Sequence, residues 1–588
     1  MQPASSSSSN RSGNSQALKK WGPIGALIVI VLVVVAIVVS SGGGDDEGAT
    51  DTSAPAASDA PASSEAPSDT AATGAETWDY PLSFANAEET LSEAAFSAID
   101  WGARCDTELG RLAVPDYFAP ACFAPFTGDN GGATAQGVTA DEITIVHYQG
   151  PDNDPIINYI TSAVKVDETN AQENETIKGF IKYFETYYEL YGRKIKYVSY
   201  ESTGLANDEV TARADAQRIV EEYKPFAVVG GPALTNAFGD ELAARQTLCV
   251  SCGGGTAEWF AERDPYVWAL DGSSEQKQVH VVEFIGKQLA GKPASHAGDA
   301  LKAETRKFAL VYEESAGAES KRLAELMVAR WAEVGADPAL VLPYKLDPGT
   351  IQQQASQIVA KMKADGITTV IMSTDPVAPG DFTREATAQE YEPEWLVAAA
   401  TLTDTNAFGR GYDQKQWAHA FGITSLAVRV NPDVVGTKVL YKWFTGTDAP
   451  APLGAPVFMP GFNLLFSALQ GTGPNLTPQT MGDYIKTIKT RPALTASYLT
   501  YGDQGIWPEV DYNGVDDATV FWWDATATGP DENAREGTGL MKFVDGGQRY
   551  MPGEWPTEDK LFVQDGAIAI YDVAPEAETP PSYPSPAG

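Results

Sequence analysis

The stretch IKYVSYESTGLANDEVTARADAQRIVEEYKPFAVVGGP, residues 195–232, changes periodicity twice. Ile195–Tyr200 is an apolar run of strand length. Asn207 caps a helix that runs to Tyr223, and Phe226–Val229 (FAVV) is a second strand that enters the turn Gly230-Gly231-Pro232. Two strands joined by a helical crossover lie parallel, and the helix covers one face of the sheet.

The alternation extends in both directions. Upstream, Ile143–Tyr148 (ITIVHY) follows a turn at Gly137–Asp141. A helix over Asn174–Tyr191 carries apolar residues at Ile177, Phe180, Ile181, Phe184, Tyr188 and Tyr191. Downstream, strands are expected at Leu248–Val250, Tyr266–Leu270, Phe308–Tyr312, Leu340–Tyr344, Thr368–Met372 and Trp395–Ala398, with helices between them. About ten such units make an α/β protein with helices on both faces of parallel sheets. A single eight-fold barrel needs about 250 residues and fits the length. A break at Asp271–Ser274 suits two open, doubly wound sheets with a cleft between them better. Ligands in such sheets bind beyond the carboxyl ends of the strands.

The 588 residues are 43% hydrophobic and 10% aromatic, which rules out wholesale disorder. The net charge of −38 repels phosphate backbones, so no nucleic-acid partner is expected. Trp21–Val39 reads WGPIGALIVIVLVVVAIVV, uncharged and long enough to cross a bilayer. Arg11, Lys19 and Lys20 precede it, and Asp45, Asp46 and Glu47 follow. The positive-inside rule then gives a cytoplasmic tail (1–20), a transmembrane signal anchor (21–40) and an extracytoplasmic remainder. The alternative is a cleaved signal peptide, with the small residues at 40–44 as processing site. Residues 41–77 are an Ala/Ser/Pro-rich acidic linker that cannot bury enough apolar surface to order itself. Residues 78–136 read as an irregular N-terminal extension.

All four cysteines follow the anchor, and local pairing is expected, Cys105 with Cys122 and Cys249 with Cys252. The Cys249-x-x-Cys252 spacing also occurs in redox motifs, but here a strand-like run leads into Gly253-Gly254-Gly255 rather than a helix. His147, His280, His296 and His419 lie far apart without zinc spacing, and neither a nucleophile elbow nor a phosphate loop is present in a suitable context. Asp152, Asn153 and Asp154, like Asp511, Asn513, Asp516 and Asp517, lack EF-hand spacing and read as turns. No cofactor, no metal and no enzymatic step are expected.

GVTADEITIV from Gly137, the FAVVGG turn, RKFALVYEE from Arg306, FNLLFSAL at Phe462–Leu469 and the stretch Tyr501–Trp523 together resemble the leucine/isoleucine/valine-binding family. These are extracytoplasmic substrate-binding proteins of ABC transporters with the type I periplasmic fold. The resemblance covers residues 137–524 and leaves a C-terminal extension, 525–588. It implies two lobes linked by three chain crossings, and a small polar solute, amino-acid-like or amide, delivered to an ABC permease and ATPase. An anchored sensor built on the same module is the alternative. Amino-acid binders of the family carry a Ser-Ala-Thr-like stretch after the fourth strand. Here Ser251-Cys252-Gly253-Gly254-Gly255-Thr256 stands in its place.

Strand ends nominate the ligand site. In the first lobe these are Tyr148, Gln149 and Asp152, then Pro232, Ala233 and Leu234, then Ser251, Cys252, Gly253, Gly254 and Thr256. In the second they are Tyr312, Glu313 and Ser315, then Ser373, Thr374 and Asp375, with Asp375 expected to face the glycine run.

Overall fold

The computed structural model describes residues 78–588 except 162–163, 165–167, 315–318 and 399–401. The expected tail, anchor and linker, and the candidate Ser315, lie outside the described residues. Among those described, no helix is long and apolar enough to cross a membrane.

Period-2 alternation builds the first lobe. Strands β1 (Glu142–Gln149), β2 (Lys194–Glu201), β3 (Ala227–Val229), β4 (Leu248–Val250) and β5 (Val267–Trp268) form an all-parallel sheet in the order β2-β1-β3-β4-β5. Ile143, Ile145, Ala227, Val229, Leu248 and Val250 point to one face, and Val146, Tyr148, Val228 and Cys249 to the other. Helix α1 (Asn170–Tyr187) covers the first face, while α2 (Glu209–Tyr223) and α3 (Ala237–Ala244) cover the second. Helix α1 starts four residues before the expected Asn174 because Thr169 and Gln172 form a capping box. It still buries Ile177, Phe180, Ile181 and Phe184, the stripe read from the sequence.

The second lobe repeats the plan. Helix α4 (Ser274–Phe284) follows the first crossing. Strands β6 (Phe308–Glu313), β7 (Leu340–Tyr344), β8 (Thr369–Ser373), β9 (Glu394–Ala398) and β10 (Ala420–Thr424) are parallel in the order β7-β6-β8-β9-β10. Phe308, Leu310, Tyr312 and Ile371 share a core with α4 and with α5 (Glu319–Glu333). Ala309, Val311, Val370 and Met372 pack against α6 (Ile351–Ala364) and α7 (Ala378–Ala388).

The chain then returns to the first lobe in α8 (Ala455–Thr472), whose Phe466 ring stacks on Phe184 of α1 with centroids 4.0 Å apart. Each such buried ring contributes about 1.5–3 kcal/mol relative to exposure. The third crossing leads to β11 (Ala518–Pro530), antiparallel to β10, and β12 (Glu536–Phe543), antiparallel to β11. Three crossings therefore join the lobes. They are tied together by Arg549, which pairs with Asp517 at 2.7 Å and donates to the carbonyls of Ser425 and Leu426 at 2.9 Å each. Asn513 adds a bond from its Nδ2 to the carbonyl of Asp271 at 3.1 Å, joining the first and third crossings.

Both segments read as extensions are parts of these lobes. Strand β11 runs through the boundary expected at 524, and β12 completes the same sheet. Residues 78–136 carry helices Phe84–Thr90 and Glu93–Ala98 and a disulfide, Cys105–Cys122. Their Phe84, Trp101, Leu112 and Val114 are buried in the first-lobe core. Arg104 secures the segment by donating to Glu189 at 2.7 Å.

Candidate ligand-binding cleft

In both lobes the strand order reverses at the first strand, so the neighbouring strands β1 and β3, or β6 and β8, send their connections to opposite faces. That switch point leaves a crevice at the carboxyl ends, and each lobe has its cavity there. The first, about 70 Å³, is lined by His147 and Val229 from the switch-point strands. Gly230, Ser251, Gly253, Gly254 and Gly255 add turn backbone, and Val457, Phe458 and Gly461 come from α8. The second, about 100 Å³, is lined by Tyr312, Glu313, Ser373, Thr374 and Asp375 over a floor of Leu323, Ala324, Met327 and Ala398. A smaller hinge cavity shares Asp271 and Gly272 with the first and Lys277 with the second.

The first cavity is built from backbone and one free hydroxyl. Ser251 holds a left-handed φ of 61°, uncommon without glycine, and its N–H donates to Trp268 at 2.9 Å to fix that shape. Its Oγ is buried and has no partner among the described residues. Cys252 beside it is disulfide-bonded to Cys249, the pairing expected. His147 reaches the cavity between Tyr197 and Phe462 and is almost fully buried. Burial without a counter-charge pushes it down to about 3, so the ring is neutral. The glycine run offers less than expected, since the Gly254 N–H already donates to Asn236 at 3.1 Å.

The second cavity is rich in acceptors. Glu313 has no hydrogen-bond or ion-pair partner among the described residues, and burial, with the nearby Asp375 charge, pushes it up to about 7. The Oγ1 of Thr374 and Oε1 of Gln278 are buried without partners among the described residues. Asp375 is different. One oxygen accepts from the backbone of Val377 and Ala378 at 2.7 and 3.0 Å, and the other from the Tyr344 hydroxyl. It shapes the turn into α7, and its carboxylate is already satisfied.

Residues 160–422 match the family model described as periplasmic binding protein. The resemblance to the leucine/isoleucine/valine-binding family is thereby borne out. Among solved structures, the chain is similar to an ABC transporter solute-binding protein from Rhodopseudomonas palustris BisB5, in complex with 3,4-dihydroxybenzoic acid. That match has 13% identity, 68% of this chain and 97% of the other covered, and TM-score 0.46. A substrate-binding protein from Aeropyrum pernix gives 14%, 70% and 96%, with TM-score 0.47. A leucine-, isoleucine-, valine-, threonine- and alanine-binding protein from Brucella ovis, in a closed conformation, gives 13%, 73% and 99%, with TM-score 0.46. No curated protein matches the chain.

The nominated residues among those described divide into two groups. Ser251, Gly253, Gly254, Tyr312, Glu313, Ser373, Thr374 and Asp375 line the two cavities. Others sit near the strand ends but point away. Tyr148 packs on Phe238 at 4.6 Å on the α2/α3 face, because its neighbour His147 takes the cavity side of the strand. Gln149 shares the face of His147, yet its amide is consumed by Glu173, Asn174 and Ser199. Pro232, Ala233 and Leu234 leave the cavity, with Ala233 packing by Ile157 and Ala206. Cys252 is buried in its disulfide, and Thr256 caps the helix that begins at Ala257. Asp152 lines neither cavity.

Sequence reasoning missed His147, Phe458, Gly461, Gln278 and Met327. The first was legible from strand parity. The α8 and α4/α5 residues were not, because they reach the cavities only through packing of helices distant in sequence. Among the described residues, no group of three or more His, Cys, Asp or Glu is placed to hold a metal.

Proposed function

We propose that this chain is a solute receptor held at the outer face of a cell membrane by its N-terminal segment, with the two-lobed domain extracytoplasmic. It captures a small polar solute, amino-acid-like or amide, in the cleft and presents it to an ABC permease and its ATPase. The observation that carries this reading is the pair of switch-point cavities, one per lobe, on lobes joined by three crossings. Groups left without partners, Ser251 Oγ on one side and Glu313 on the other, are what a ligand arriving in the cleft can satisfy. The domain performs no covalent chemistry in this reading. Binding is coupled to lobe closure, and a solute shifts that equilibrium only by its differential affinity for the closed form.

A thermal-shift screen of the full chain in detergent against amino acids, amides and hydroxybenzoates tests the binding step. A hit should also reduce the radius of gyration in X-ray scattering. Cells lacking the gene should lose ATP-dependent uptake of that solute. Uptake unchanged in such cells, with binding intact, would remove the transport role.

A further inference from the structure

The second-lobe cavity is unbalanced in its hydrogen bonding. It is lined by two cations, each with one hydrogen-bond partner. Lys277 Nζ is paired with Asp271, and Arg330 Nη1 donates to the Glu275 carbonyl at 3.1 Å. The acceptors are left over. Among the described residues the Glu313 carboxylate has no hydrogen-bond or ion-pair partner, and the Oγ1 of Thr374, a residue only 7% exposed, and the Oε1 of Gln278 are unpartnered. The apolar part of the lining comes from the buried Tyr312, Leu323, Ala324, Met327 and Ala398, and Ser274, Glu275, Ser320, Ser373 and Asp375 also line it. At about 100 Å³ the space admits several waters and hence a short alkyl chain.

A half-buried carboxylate without a counter-charge is costly, and a ligand cation that donates to it reduces the cost. A ligand that brought only acceptors or another negative charge would leave Glu313 and Gln278 Oε1 unmet, because of the three groups only the Thr374 hydroxyl can also donate. Resting on the solute-receptor reading above, we propose that this cavity is an organic-cation subsite. In it Glu313 is the counter-ion for a primary ammonium group whose alkyl chain lies over Leu323 and Met327. Thr374 and Gln278 accept the remaining ammonium N–H groups. Burial and the charge of Asp375 already hold Glu313 towards its protonated form in the empty cavity, and an arriving cation reverses that bias.

Calorimetric titration of the full chain in detergent with n-butylammonium, and with 1-butanol as its neutral isostere, tests this. Butylammonium should bind at least about tenfold more tightly than the alcohol. Glu313→Gln, which keeps size and shape, should abolish that preference, and Thr374→Val should reduce it. Thermal melts of both variants confirm that they are folded. Butylammonium binding that is absent in the unaltered chain, or unchanged in Glu313→Gln, overturns the proposal. Parallel titrations with leucine, acetamide and 4-hydroxybenzoate separate the two readings. If one of these binds and butylammonium does not, the receptor stands and the cation subsite falls. If no solute binds, both fall.

Discussion

The two switch-point cavities share a topology and oppose each other in chemistry. The first, in the β1–β5 lobe, is made of glycine backbone, one unpartnered hydroxyl and a histidine that burial keeps neutral. The second, in the lobe that begins with α4, is made of carboxylates and orphaned acceptors over an apolar floor. The strand order β2-β1-β3-β4-β5, repeated as β7-β6-β8-β9-β10, fixes where each crevice opens. Side-chain packing around the crevice decides what it can bind. Duplication of a fold plan therefore places two half-sites without making them equivalent.

The largest effect lies at the amino ends of the second-lobe strands, the end of the sheet away from the cavity. Glu394, at the start of β9, is fully buried and accepts two bonds from Arg306 at 2.8 and 2.9 Å and one from Thr369 at 2.6 Å. Glu394→Ala leaves the Arg306 guanidinium buried and unpaired, which costs about 3–5 kcal/mol. Urea unfolding should show that loss. A change under about 1 kcal/mol would mean that water reaches this pair.

A medium effect sharpens the comparison through its sign. His147 in the first cavity titrates at about 3 when folded and near its ordinary 6.5 when unfolded. Below pH 6.5 the unfolded chain takes up a proton that the folded chain refuses, so His147 costs stability as pH falls from 6.5 towards 3. At pH 5 the loss is about 2 kcal/mol. Glu313 in the second cavity is raised from 4.5 to about 7, so the folded state holds its proton longer. Its contribution is present below pH 4.5 and is lost as pH rises to 7, on the order of 2–3 kcal/mol. Urea midpoints across pH 4–8 should therefore change slope in opposite directions in His147→Asn and Glu313→Gln. Parallel changes in the two variants would refute the assignment of a neutral histidine to the first cavity and a raised carboxylate to the second.

The smallest effect concerns the α8 wall of the first cavity. A Cβ at Gly461 meets Val229 Cγ1 at 3.1 Å, and the helical preference for alanine over glycine is about 1 kcal/mol. Gly461→Ala should change stability by less than about 1 kcal/mol while narrowing the cavity. A melting curve and a binding titration on the same sample separate the two outcomes.

Much of this was legible in the chain itself. Alternating strand and helix periods over Ile143–Ala398 dictate parallel sheets, because a helical crossover cannot return a strand antiparallel in so few residues. Parity along ITIVHY also places His147 and Tyr148 on opposite faces, since successive strand side chains must alternate. Cysteines three and seventeen residues apart are close enough to pair locally, and they do. What the chain alone did not reveal depends on contacts remote in sequence. Arg104 reaches Glu189, Arg549 reaches Asp517, and Tyr583 donates to Asp106, so segments that read as extensions belong to the lobes. Asp375 looked like a ligand carboxylate, yet Tyr344, from β7 two strands away in the sheet and 31 residues away in the chain, holds one of its oxygens. Glu313 looked equivalent to it, yet among the described residues its carboxylate has no partner, while Lys277 pairs with Asp271 and Arg330 donates to the Glu275 carbonyl. A pattern along one chain specifies which element forms and which way a side chain points. Whether a polar group finds its partner is decided by every element packed around it.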